Sequence, residues 1–214
     1  MIRLLTALLL LLPVGVCAQD KSPDEAYGER IDQARAAYRM AIAKQIRQAK
    51  IVEVVLLRFD DVRKVDLFND DESRFPIAPY EATTKVISEK TLPPSERKEL
   101  LLELANQIEK PEHEGGALCH FPIHGVRVYS DEPSGKPFDS KLIYTGSFCW
   151  VCGNFGFTYP DGAEWLDTND NLKAIFNKLL PVPKEETERF EKKYPTKPIG
   201  EQVRFNRTRG IRGF

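Results

Sequence analysis

Two stretches decide the reading of this chain: Cys119-His-Phe-Pro-Ile-His-Gly-Val-Arg-Val-Tyr129 and Lys141-Leu-Ile-Tyr-Thr-Gly-Ser-Phe-Cys-Trp-Val-Cys152. Val126–Tyr129 and Lys141–Tyr144 are rich in the β-branched and aromatic residues that suit a pleated, half-buried surface. Residues 131–139 between them are dominated by Asp, Pro, Ser and Gly, each a turn former. The pattern predicts a hairpin with a long connection. Centred near residue 135, it sets Val126 opposite Tyr144 and Val128 opposite Leu142. Extending that register carries Cys119 and His120 onto Trp150 and Val151. The hairpin thus gathers Cys119, Cys149 and Cys152 with His120 and His124.

Outward from this unit (115–159), Phe155–Tyr159 reads as a further strand, ended by Pro160-Asp161-Gly162. A helix follows over about 169–180, with Leu172, Ile175, Phe176 and Leu179 on one side. Upstream, Pro93-Pro94-Ser95-Glu96 opens a helix to about Lys110, whose Leu100, Leu101, Leu104, Ala105 and Ile108 form an apolar face. Ile51–Phe59 and Thr83–Thr91 read as strands, and 60–82 between them as a long loop. Residues 23–49 carry Ile31, Ala34, Tyr38, Ile42 and Ile46 at helical spacing behind a Ser22-Pro23-Asp24-Glu25 start. The expectation is an α+β fold: an antiparallel sheet with a Cys/His-bearing hairpin, flanked by amphipathic helices, as a single domain over 19–180. The Pro-rich, basic stretch 181–214 is expected to be a disordered tail.

The chain has 214 residues, with 31 basic against 32 acidic side chains, 42% apolar and 29% charged. That balance supports a core and excludes collagen-like, coiled-coil and wholly disordered classes. It also speaks against a nucleic-acid partner. Met1-Ile2-Arg3, the apolar run Leu4–Val16, and Val16 and Ala18 before Gln19 read as a signal peptide over 1–18. The run is shorter than the roughly 20 residues that span a bilayer, so no transmembrane span is expected in the mature chain. The expected location is exported, periplasmic or secreted. A lipoprotein built on Cys17 ranks behind, because Val16 is bulky for that processing. Nothing in the sequence names a partner.

The chemistry lies in the cysteines and histidines. Cys149-Trp-Val-Cys152-Gly has the shape of half a structural zinc site, in which thiolates hold the ion at about 2.3 Å and backbone amides support the sulfurs. Cys119 would be the third ligand and His124 the fourth, with His120 as the alternative fourth. Thiolate and imidazole suit zinc better than calcium or magnesium. Two other readings compete. An exported domain tends to oxidise its thiols, which gives a Cys119–Cys149 or Cys149–Cys152 disulfide. A redox protein would use Cys149 and Cys152, although Gly153-Asn-Phe-Gly is a poor helix start for a thioredoxin-like pair.

The Cys-x-x-Pro-x-His-Gly (119–125) and Cys-Trp-x-Cys (149–152) pair resembles a pattern seen in uncharacterised exported or membrane-associated bacterial proteins. The resemblance implies that these residues form one unit, and it brings no activity. Serine-hydrolase, zinc-protease, phosphate-loop and dinucleotide motifs do not occur. No catalytic residue is assigned. The expected role is structural or binding, with a Cys3His-type zinc knuckle.

Overall fold

The computed structural model describes residues 22–65, 73–77, 81–111, 120–133 and 141–195. By its internal contacts the chain separates into residues 1–34 and 35–214, with the division inside helix α1 (Pro23–Arg47). The described part of the first unit is the opening of that helix. The Ser22 amide donates to Glu25 Oε2 (2.9 Å) and the Glu25 amide to Ser22 Oγ (3.3 Å). This reciprocal pair satisfies two of the donors that a helix start leaves open. The Ser22 hydrogen bonds hold the Glu25 carboxyl below its ordinary range.

The second unit is built on an antiparallel sheet. Its strands are β1 (Ile51–Leu57), β2 (Arg63–Lys64), β3 (Arg74–Ile77), β4 (Ala82–Thr91), β5 (His124–Tyr129), β6 (Leu142–Cys149), β7 (Asn154–Tyr159) and β8 (Gly162–Asp167). Their order is β2-β4-β1-β5-β6-β7-β8, with β3 also paired to β4. Helices α2 (Pro94–Glu109), α3 (Asp170–Leu179) and α4 (Lys184–Lys193) complete the elements. The α+β, antiparallel-sheet expectation is met.

Alternation along the strands creates two faces. Val52, Val54 and Leu56, then Val126 and Val128, then Tyr144 and Phe148, and finally Phe155, Phe157 and Leu166 form one buried cluster with Leu100, Leu104 and Phe176 of the helices. The opposite face has a smaller cluster of Val55, Leu57 and Phe75. There the Phe75 ring lies on Gly125: a Cβ at that glycine would stand 2.7 Å from it. Asn169 caps α3 by accepting from the Leu172 amide at 2.8 Å.

Three expectations are corrected. Residues 60–82 are not one loop, since β2 and β3 lie within them. Arg74 supplies the bonding that so short a strand lacks. Its guanidinium donates to Asp61 Oδ2 (2.9 Å), the Asp61 carbonyl (2.6 Å) and Thr83 Oγ1 (2.9 Å). Pro160-Asp161 does not end the sheet but forms a two-residue turn into β8, with Gly162 paired to Tyr159. The expected tail from 181 contains α4, whose Phe190 is fully buried against Phe59 (4.9 Å between ring centroids) and Phe121 (5.8 Å). Glu186 pairs with Arg58 at 3.6 Å, and Asp60 faces Arg189 and Lys193. Residues 196–214 lie outside the described residues. None of the described helices is long and apolar enough to cross a membrane.

Candidate functional site

Strands β5 and β6 pair as predicted in direction but two residues out of the expected register. Val126 faces Gly146 and Val128 faces Tyr144, with an irregularity before Tyr129 meets Leu142. A shift of two keeps every side chain on its face, so the apolar pattern cannot distinguish the two registers. Within β6 itself, Tyr144 folds over Gly146, where a Cβ would overlap its hydroxyl.

Beyond β6 the chain turns through Trp150, Val151, Cys152 and Gly153, and Asn154 comes back to pair with Cys149. Gly153 has φ 63°, in the left-handed region that glycine enters without steric cost. Cys149 is a fully buried thiol. Its sulfur accepts N–H bonds from Phe121 and Cys152, both at 3.3 Å. Cys152, three residues on, is disulfide-bonded. The chain's other two cysteines, Cys17 and Cys119, lie outside the described residues.

The histidines have been drawn into the framework. The Trp150 indole N–H donates to His124 Nδ1 at 2.7 Å, and His124 Nε2 meets the Leu180 carbonyl at 2.7 Å. An indole only donates and a carbonyl only accepts, so His124 is the neutral Nε2–H tautomer. Burial lowers it to about 4, with the Leu180 bond opposing. Its single lone pair is taken by Trp150, which leaves none for a metal.

His120 sits on the face of the sheet opposite α2 and α3. Its Nδ1 is 3.0 Å from Asn154 Oδ1, its Nε2 is 2.8 Å from Ser147 Oγ, and its ring lies 4.6 Å from that of Trp165. With the amide oxygen accepting, Nδ1 carries the proton and Nε2 accepts from the serine. Hydroxyl, imidazole and amide in this order match a nucleophile, a base and an orienting group. Two observations favour a structural pin instead. Ser147 is 1% exposed. Burial also lowers His120 to about 4, against the Asn154 bond, which makes it a poor proton acceptor near neutrality.

Of the expected zinc ligands, the structure therefore brings Cys149 and Cys152 to one turn, with Cys152 already committed to a disulfide. It commits His124 to Trp150 and Leu180, and His120 to Asn154 and Ser147. Cys119 is outside the described residues. Among the described residues no three His, Cys, Asp or Glu side chains are grouped to hold a metal ion. Ser147 and Asn154 went unread in the sequence, where only the burial of two histidines in apolar surroundings could have signalled that each needs polar partners. No protein-family model, curated protein or solved structure matches the chain.

Proposed function

We propose that this protein is an exported, disulfide-stabilised α+β domain with a structural or binding role, in which the Cys/His cluster clamps the sheet rather than coordinating zinc. The observation that carries this reading is the split state of the Cys-Trp-Val-Cys turn: Cys152 oxidised, Cys149 a buried thiol held by two amides. The bonding of both His124 nitrogens supports it, because a zinc knuckle needs an imidazole lone pair. The bridge partner in this reading is Cys119. Cys119 directly precedes His120 and Phe121 in the sequence, and these two contact Asn154, Ser147 and Cys149. Cys17 would leave with the signal peptide. Export rests on the n-region, apolar run and cleavage pattern of residues 1–18.

Alkylation in denaturant before and after reduction, read by mass spectrometry beside metal analysis, tests the reading. The mature protein should show one disulfide containing Cys152, one alkylated thiol at Cys149, and no stoichiometric zinc. Three alkylatable thiols with close to one zinc per chain would overturn it in favour of the knuckle.

A further inference from the structure

Cys149 and Cys152 share one tight turn but differ in state, and the contact between them is direct: the amide of Cys152 donates to the sulfur of Cys149 at 3.3 Å. Gly153, in its left-handed conformation, closes the turn behind them. A second amide, that of Phe121, reaches the same sulfur at 3.3 Å from another segment. The two amides fix the sulfur's position, and a thiolate is the attacking species in disulfide chemistry. Cys149 is fully buried, whereas Cys152 is partly exposed. Burial shields Cys149 from dissolved oxidants and thiols but not from a disulfide on its own turn.

We propose that Cys149 is the internal nucleophile of a thiol–disulfide exchange at this turn, transferring the Cys152 bridge from its present partner to itself. The Cys149 sulfur attacks the Cys152 sulfur, and a Cys149–Cys152 bond forms as the bond from Cys152 to its partner breaks. The partner sulfur leaves with the electron pair and takes up the proton that Cys149 gave up. One disulfide and one thiol exist before and after, so no oxidant or reductant is consumed. The exchange replaces a bridge to a distant part of the chain by one confined to four residues. A short loop constrains the unfolded chain less than a long one, so the exchanged form gives up cross-link stabilisation and is the less stable of the two. The inference rests on the disulfide reading above.

The test follows the bridge in the full chain, oxidised and without added thiol, held at about pH 8 where thiolates are populated. Samples are quenched in acid, alkylated with a maleimide in denaturant, digested and mapped. The Cys149–Cys152 peptide should appear and settle at a constant minor fraction, with an equal loss of the starting bridge and of Cys149 alkylation. Cys149→Ser should retain the starting bridge alone, while the wild-type time course carries the test without any variant. A Cys152 that stays with its first partner, with Cys149 fully alkylated throughout, would overturn the exchange and leave the disulfide reading standing. A Cys152 alkylated from the outset would overturn both.

Discussion

At the residue scale, His124 shows how a buried side chain acquires its role. It is fully buried, bonded on both nitrogens, and neutral. Its lowered value of about 4 lies below the ordinary 6.5. Between those values the unfolded chain binds a proton that the folded chain refuses, so stability rises with pH across that window. Acidification from about 6.5 to about 4 therefore removes stability, roughly 3 kcal/mol for His124 alone. Below the lower value both states are protonated and the dependence of this group ends. His120 is lowered in the same direction, chiefly by burial, and acts in the same window. Asp61, held low by its Arg74 hydrogen bond, loses its contribution only at lower pH, below its ordinary 3.8. Urea midpoints at pH 7 and near pH 4.5 should differ accordingly, and Trp150→Phe should fold with its unfolding free energy lowered by roughly 1–3 kcal/mol, since Nδ1 then stays buried without a donor. A flat profile between these pH values would mean that the two imidazoles are not buried as neutral groups.

At the element scale, α4 illustrates the limit of composition. Lys184–Lys193 is mostly charged, and in isolation such a segment reads as solvated chain. One residue reverses that reading: Phe190 enters an aromatic nest of Phe59, Phe121 and Tyr194 and loses all exposure. Burying a phenylalanine is worth roughly 2–3 kcal/mol, enough to dock a short helix whose ends are also held by Arg58 and Asp60. Phe190→Ala should lower unfolding stability by roughly 3–5 kcal/mol. Glu188→Ala, on the exposed side of the same helix, should change it by less than about 0.5 kcal/mol. Equal and negligible effects of the two substitutions would return this segment to the status of a tail. The strands follow the same logic. Ile51–Leu57, β4 and β7 were legible because their apolar residues declare themselves locally. Neither β3 nor β8 was, because one is held through the bonds of its Arg74 to Asp61 and Thr83 and the other begins at a turn that looked like a terminus.

At the scale of the whole molecule, the sheet is tied together by contacts distant in sequence. Arg39 of α1 donates to the Tyr159 hydroxyl (2.8 Å) and to Glu164 (3.1 Å), and Tyr159 bonds Glu164 in turn. This network ties the part of α1 beyond residue 35 to the β7–β8 hairpin. In the proposed disulfide form, a bridge from 119 to 152 would contribute about 4 kcal/mol in the chain-entropy account. Reduction of the intact protein should lower its unfolding free energy in denaturant titration by that order, and Cys152→Ser should reproduce the loss without further sensitivity to reductant. Unchanged stability on reduction would mean that the bridge adds nothing to the fold.

What the sequence determined by itself is whatever depends on near neighbours. The helices at 23–47, 94–109 and 170–179, the strands that alternate or run apolar, and the α+β class all follow from side-chain periodicity, which is a local property. It also brought Cys149 and Cys152 to one turn, because Gly153 is adjacent to them in the chain. Tertiary structure alone decided the register of β5 on β6, the docking of α4 and the occupation of the histidines. The reason is physical. A two-residue slip preserves every periodicity, and the fate of a buried imidazole depends on which donor or acceptor, tens of residues away, is folded against it.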